Sequence, residues 1–166
     1  DFVRINSKNQ IKLKFIEKSI LMWIRIIKQN STIATFLFGN DTSVTIKYQM
    51  NTFIFDVNQK KIKFLTSDSN IDGWYFICIN FSNNSMNAFV NLDQISIQNY
   101  FREPILMTIG DENSAFDLQS VRVFHSVLYE NQIKYLFFLG PNFKKTILDN
   151  LSSLKLKDKC LYKYLV

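Results

Sequence analysis

The stretch GDENSAFD, Gly110 to Asp117, gathers the residues of this chain best suited to chemistry. Asp111, Glu112, Asn113 and Asp117 offer hard oxygens at close spacing, the donor type calcium takes. Their spacing matches no diagnostic loop, and Asp and Asn are also the residues that hairpin turns collect, so a polar turn is the competing reading. The same choice arises at FGNDTS, where Asn40 and Asp41 either extend that rim or form a turn. No resident metal is expected. If the loop does hold one, calcium is the ion and those four residues are its ligands.

Other chemistry finds less support. The one histidine, His125, leaves a predicted strand beside Ser126, with no second histidine to complete a constellation. The two cysteines, Cys78 and Cys160, lie far apart and carry no metal or disulfide spacing, and Cys78 within WYFICINF reads as a small core hydrophobe. Glycoside hydrolysis needs a pair of carboxylates several ångströms apart across the sugar. No predicted strand carries two or three Asp or Glu on one face, and the adjacent Asp111 and Glu112 would point to opposite sides if extended. The expectation is a chain that is not an enzyme.

The elements that would position these residues are nearly all strands. IKLKF (Ile11 to Phe15) and VTIKY (Val44 to Tyr48) alternate strictly, and FIFDV, IKF (Ile62 to Phe64) and ISIQ (Ile95 to Gln98) continue the pattern between Asn-, Asp- and Ser-rich turns. SILMWIRII (Ser19 to Ile27) and GWYFICINF (Gly73 to Phe81) are apolar at successive positions and predict strands covered on both faces. One helix breaks the series: from Tyr129, the residues Ile133, Leu136 and Phe137 recur at helical spacing, with Glu130 in the first turn and Gly140 past the end. LKLKDK (Leu154 to Lys159) returns to alternation.

At 166 residues and 47% hydrophobic, the chain has material for one ordinary core. Residues 1–166 are expected to form a single domain, with the sandwich and capping helix in 1–140 and a closing strand and exit segment in 141–166. The chain opens DFVRIN, which reads as a piece of something longer, and no apolar run reaches the roughly 18 residues that span a bilayer. The net charge of +6 invites an acidic partner. Yet Lys12, Lys14, Lys47, Lys61, Lys63, Lys155 and Lys157 alternate with apolar residues, as on the wet faces of half-buried strands, so nucleic acid is not expected as a partner. Sequons at Asn30, Asn40, Asn80, Asn83 and Asn150 are what so Asn-rich a chain produces by chance.

KSILMWIRI, DGWYFICINFSNNSMNAFVN, ILMTIGD and VRVFHSVLYENQI follow one another as do the strands of laminin-G, pentraxin and concanavalin A-like sandwiches, which the chain resembles over nearly its whole length. The resemblance implies an all-β, antiparallel two-sheet jelly-roll sandwich with one short C-terminal helix. Two places depart from the pattern: the hairpin reads FVNLD where the family has Asn-Gly, and AFDLQS replaces a Gly-containing turn.

The stretch VFHSVLYENQIKYLFFLGPNF is most similar to the end of the concanavalin A-like domain in BEACH-domain proteins of the neurobeachin and Alfy type. The matching positions are Phe124, His125, Leu128, Gln132, Ile133, Leu136 and the run Leu139 to Phe143. That resemblance implies a non-catalytic recognition or scaffolding module in a cytoplasmic protein of vesicle traffic or autophagy, peripheral to membranes and contacting protein partners or neighbouring domains. The pentraxin side implies instead an extracellular lectin-like or adhesion domain that binds glycan, with calcium at the Asp111 loop. A glycan-cleaving enzyme is a third reading, opposed by the missing carboxylate array.

Overall fold

The alternating and doubly apolar runs sort into two sheets. The structure is a computed structural model that describes residues 2–16, 18–64, 72–82, 84–99, 101–103 and 105–141. Among the described residues twelve strands precede one helix: β1 (Val3–Ile5), β2 (Ile11–Phe15), β3 (Ser19–Ile26), β4 (Ser31–Phe38), β5 (Ser43–Gln49), β6 (Thr52–Val57), β7 (Lys60–Phe64), β8 (Tyr75–Phe81), β9 (Ser85–Val90), β10 (Asp93–Gln98), β11 (Ile105–Ile109), β12 (Phe116–Phe124) and α1 (Glu130–Leu139). The first sheet runs β1-β12-β3-β8-β9-β10 and the second β2-β11-β4-β5-β6-β7, with every pairing antiparallel. This is the antiparallel two-sheet sandwich with a short helix that the sequence predicts.

The doubly apolar strands have a specific reason. On β3 and β8, Ile20, Met22, Ile24, Ile77 and Ile79 point between the sheets, where they meet Phe36, Ile46, Phe53 and Phe55. Their alternate neighbours Leu21, Trp23, Phe76 and Cys78 face outward into a second apolar cluster with Ile133, Leu136 and Phe137 of α1. The helix therefore seals the outer face of the first sheet, a layer the 3.6-residue spacing of its apolar positions fits. Trp23 and Trp74 are both buried.

Each departure from the family pattern is absorbed locally. In FVNLD, Asn91 adopts φ 56° in the turn between β9 and β10, a conformation Asn tolerates better than most residues. Its Oδ1 accepts the Phe76 N–H at 3.1 Å while its own N–H donates to the Phe76 carbonyl at 2.7 Å. AFDLQS is no turn: it lies largely within β12, whose pairing with β3 shifts between Gln119 and Arg122, where Ser120 has φ 57°. Ser120 Oγ donates to the Pro141 carbonyl at 2.9 Å.

At the helix end, Gly140 has φ 74° as the glycine signal predicts, but its ψ of 179° puts it in an extended region open essentially to glycine alone, not in the left-handed helical one. The proposed closing strand Leu154 to Lys159 and the exit at Cys160 lie outside the described residues. Within the described residues no helix is long and apolar enough to cross a membrane.

Candidate functional site

The acidic loop is wired into itself. Asp111 Oδ1 accepts from the Asn113 N–H at 2.9 Å and lies 2.7 Å from the Ser114 hydroxyl, while the Asp111 N–H donates to Ser114 Oγ at 3.0 Å. Burial pushes the Asp111 carboxyl up, but hydrogen bonds from Thr32, Ser114 and the backbone of Asn113 and Ser114 outweigh it and hold the group below its ordinary value. Asp117 is occupied elsewhere. It stands in register between Arg4 of β1 and Arg25 of β3, and its two oxygens bind Arg4 Nε at 2.8 Å and an Arg25 amino group at 2.6 Å. Here too burial raises the carboxyl, and the hydrogen bonds and charges of both arginines hold it below its usual value.

Of the four predicted ligands, then, Asp111 and Asn113 share a turn, Glu112 is exposed beside them, and Asp117 belongs to an ion-pair row on β12. Among the described residues no group of three or more His, Cys, Asp or Glu could hold a metal ion. The expected outcome is that millimolar calcium leaves the melting temperature unchanged. An ion that preferred the folded state at a hundredfold excess over its dissociation constant would add about 2.7 kcal/mol. A rise that disappears in Asp111→Ala would assign the loop to calcium after all. Asn40 and Asp41 make the turn from β4 to β5, with Asp41 at φ 61° and its N–H donating to the Phe38 carbonyl at 3.0 Å.

His125 is exposed just after β12, and Cys78 is fully buried, where loss of solvation pushes its thiol up and leaves it unreactive. Asn80 is only 5% exposed. It ties the entry to α1 onto the first sheet: Nδ2 donates to the Leu128 carbonyl at 2.8 Å and Oδ1 accepts the Ser19 hydroxyl at 2.7 Å. A carbohydrate on that sequon would require the tie to break, so this Asn-x-Ser is structural.

What the strand-by-strand reading missed is where the lysines meet. The outer face of the second sheet is not the one α1 covers. Across its six strands Lys12, Thr108, Thr35, Thr45, Asp56 and Lys61 stand in one cross-strand row. Beside it run Lys14, Leu106, Leu37 and Ser43 on one side, and Lys47, Ile54 and Lys63 on the other. Thr35 and Thr45 bring their hydroxyls to 3.4 Å of each other at the centre. Leu37 and Leu106 are 42% and 45% exposed. The signal was present as alternation, but sheet order, which brings β2 and β7 to opposite edges of one face, is needed to see it. This face, polar at its centre and basic at its edges, is the candidate functional site.

No protein-family model matches the chain, and no curated protein sequence matches it. Solved structures do. A sialidase from Trypanosoma rangeli superimposes with a TM-score of 0.54 at 11% identity, over 74% of this chain and 23% of the sialidase. A mutant of that sialidase displaying trans-sialidase activity gives 0.53 at 15% identity, over 73% of this chain and 22% of the other. The catalytic domain of an endo-1,3-beta-glucanase (laminarinase) from Thermotoga petrophila gives 0.53 at 9% identity, over 72% of this chain and 66% of the laminarinase. The chain spans under a quarter of the sialidases' length.

These likenesses establish a concanavalin-like β-sandwich of a kind found in glycan-acting proteins. They also correct the expectation that the chain is not an enzyme. All three are structures of glycan-acting enzymes, one of them a catalytic domain, so a missing sequence array of carboxylates is no ground for setting catalysis aside. None of the three is titled as a BEACH protein.

Proposed function

We propose that this domain recognises carbohydrate on the outer face of the second sheet, the open face, which no element among the described residues covers. One observation carries the reading: one outer face of the sandwich is sealed by α1, while the other presents threonine, serine, lysine and aspartate side chains in register across six strands. Threonine and serine hydroxyls on a rigid sheet suit sugar hydroxyls, which both donate and accept, because strand geometry places these short side chains before a ligand arrives, and the lysine ammonium groups reach in on flexible stems. The kinship in fold with structures titled sialidase and laminarinase supports the same reading.

Titrating the labelled protein with laminarin and sialyl oligosaccharides should shift amide resonances of β4, β5 and β11. Thr35→Val with Thr45→Val should weaken the interaction while leaving the fold intact, since each loses a hydroxyl without losing volume. No shift with any oligosaccharide would remove the reading.

A second reading, a recognition module of a larger BEACH-type protein at cytoplasmic membranes, is favoured by the run from Phe124 to Phe143, whose members Ile133 and Leu136 are buried in the seal of the first sheet. An extracellular setting goes instead with glycan adhesion. The sequence flanking this stretch in its parent chain separates them: helical repeats and a downstream BEACH region for the first, a signal peptide and Cys-rich modules for the second.

A further inference from the structure

We infer that the open face takes an acidic polysaccharide, a chain bearing sulfate or carboxylate groups, an inference that rests on the carbohydrate reading and narrows it. Lys12 and Lys14 lie on β2 at one edge, Lys61 and Lys63 on β7 at the other, and Lys47 on β5 between. Asp56 is the one carboxylate among the described residues in these rows, so five positive charges face one negative. None of the five lysines has an ion-pair partner among the described residues, whereas Lys18, Lys134, Arg4 and Arg25 elsewhere on the molecule each pair with a carboxylate.

Lysines on edge strands also discourage strand-to-strand aggregation, but Lys47 is on an interior strand, where that purpose is absent. The six strands make a face roughly 24 Å wide at about 4.8 Å per strand, so a ligand that meets both lysine pairs is a polymer and not a monosaccharide. The threonine row between the pairs supplies hydroxyl partners along the path.

The chemistry of the face also selects among polyanions. Single-stranded nucleic acids are held by stacking bases on aromatic rings and arginine planes. These rows contain lysine, threonine, serine, leucine, isoleucine and aspartate, with no aromatic residue and no arginine. Lysine is a compact point charge on a flexible stem, suited to sulfate or carboxylate groups spaced along a chain.

The test measures binding of the full chain to heparin oligosaccharides, polygalacturonate oligosaccharides, neutral laminarin oligosaccharides, poly(U) and phosphatidylserine vesicles at low and high salt. Heparin or polygalacturonate should bind and weaken with salt, and binding of polygalacturonate shows that carboxylate groups alone suffice, whereas binding of heparin without polygalacturonate shows that sulfate is needed. Lys61→Gln with Lys63→Gln should weaken that binding by about fivefold or more, the combined effect of two exposed ion pairs. Lys28→Gln with Lys134→Gln removes equal charge away from this face and should leave it unchanged. Equal affinity for laminarin, or equal effects of the two double variants, would overturn the acidic specificity and leave the carbohydrate reading standing. Binding of no oligosaccharide removes both. Tighter binding of poly(U) or vesicles with the same lysine dependence overturns the inference in favour of nucleic acid or membrane.

Discussion

Trp23→Ala should lower the unfolding free energy by about 3–5 kcal/mol, the range for truncating a large aromatic side chain in a core. Trp23 is wholly inaccessible to solvent. Its ring meets Phe76 edge-on at 5.2 Å and stacks on Phe137 of α1 at 5.9 Å, so it joins the first sheet to the helix. Deleting it empties the middle of the outer apolar cluster, and hydrogen exchange at Leu136 and Phe137 should accelerate beyond the global change. Urea unfolding supplies the main number, and a loss below about 1 kcal/mol would mean the helix does not rest on this residue. Trp23→Phe should cost distinctly less than Ala. The indole N–H has no hydrogen-bond partner among the described residues, so Phe gives up area but also removes an unsatisfied donor. Trp74 sits at the margin of the same cluster against the exposed Phe2 ring, and its truncation should be milder.

Removing both arginines that hold Asp117, as in Arg4→Ala with Arg25→Ala, should cost about 3 kcal/mol at neutral pH, because it strands a carboxylate that is 1% exposed. The pH dependence distinguishes this from loss of packing. In the native protein the Asp117 carboxyl is held below its unfolded value, so its contribution is complete above roughly pH 4 and is lost as the pH falls through the lower folded value. Without the arginines, the hydrogen bonds and charges that lower the folded value are gone, so the variant loses the stability that this carboxylate contributes above pH 4. The stability gap between the two proteins should therefore be widest at neutral pH and close towards pH 3. Parallel pH profiles would show that the arginines matter only as packing. Asp117→Asn should remove most of the acid sensitivity that this row confers.

How far such features could be read from the chain depended on whether they were local. Alternation marked β2, β5 and β6, and the doubly apolar runs marked β3 and β8, because burial of alternate or successive residues is written into neighbouring positions. The helix was legible for the same reason, from Ile133, Leu136 and Phe137. Asp117 was read as a member of its loop, since nothing near it in sequence announces Arg4 and Arg25, which β1 and β3 bring to it from the other end of the chain. The lysine face was hidden likewise. Each pair looked like the wet side of its own strand, and only the order of strands in the second sheet makes them one surface. Asn80 read as a sequon, and its place under the helix entry emerges from Ser19 and Leu128, both remote in sequence.

The strand order also constrains how the chain comes together in time. β12 pairs with both β1 and β3, and β11 stands between β2 and β4, so among the described strands β1 and β2 acquire their neighbour, and β3 and β4 one of their two, from the far end of the sequence. Closing such long loops before any reward is gained slows folding, and a nascent chain leaving the ribosome must hold β1 to β4 unpaired on these sides until β11 and β12 have been made. The hairpins β5–β6–β7 and β8–β9–β10 can form earlier from adjacent sequence. Folding should begin in those two meanders, with the apolar flanks of β3 and β4 the segments most in need of protection while the chain is incomplete.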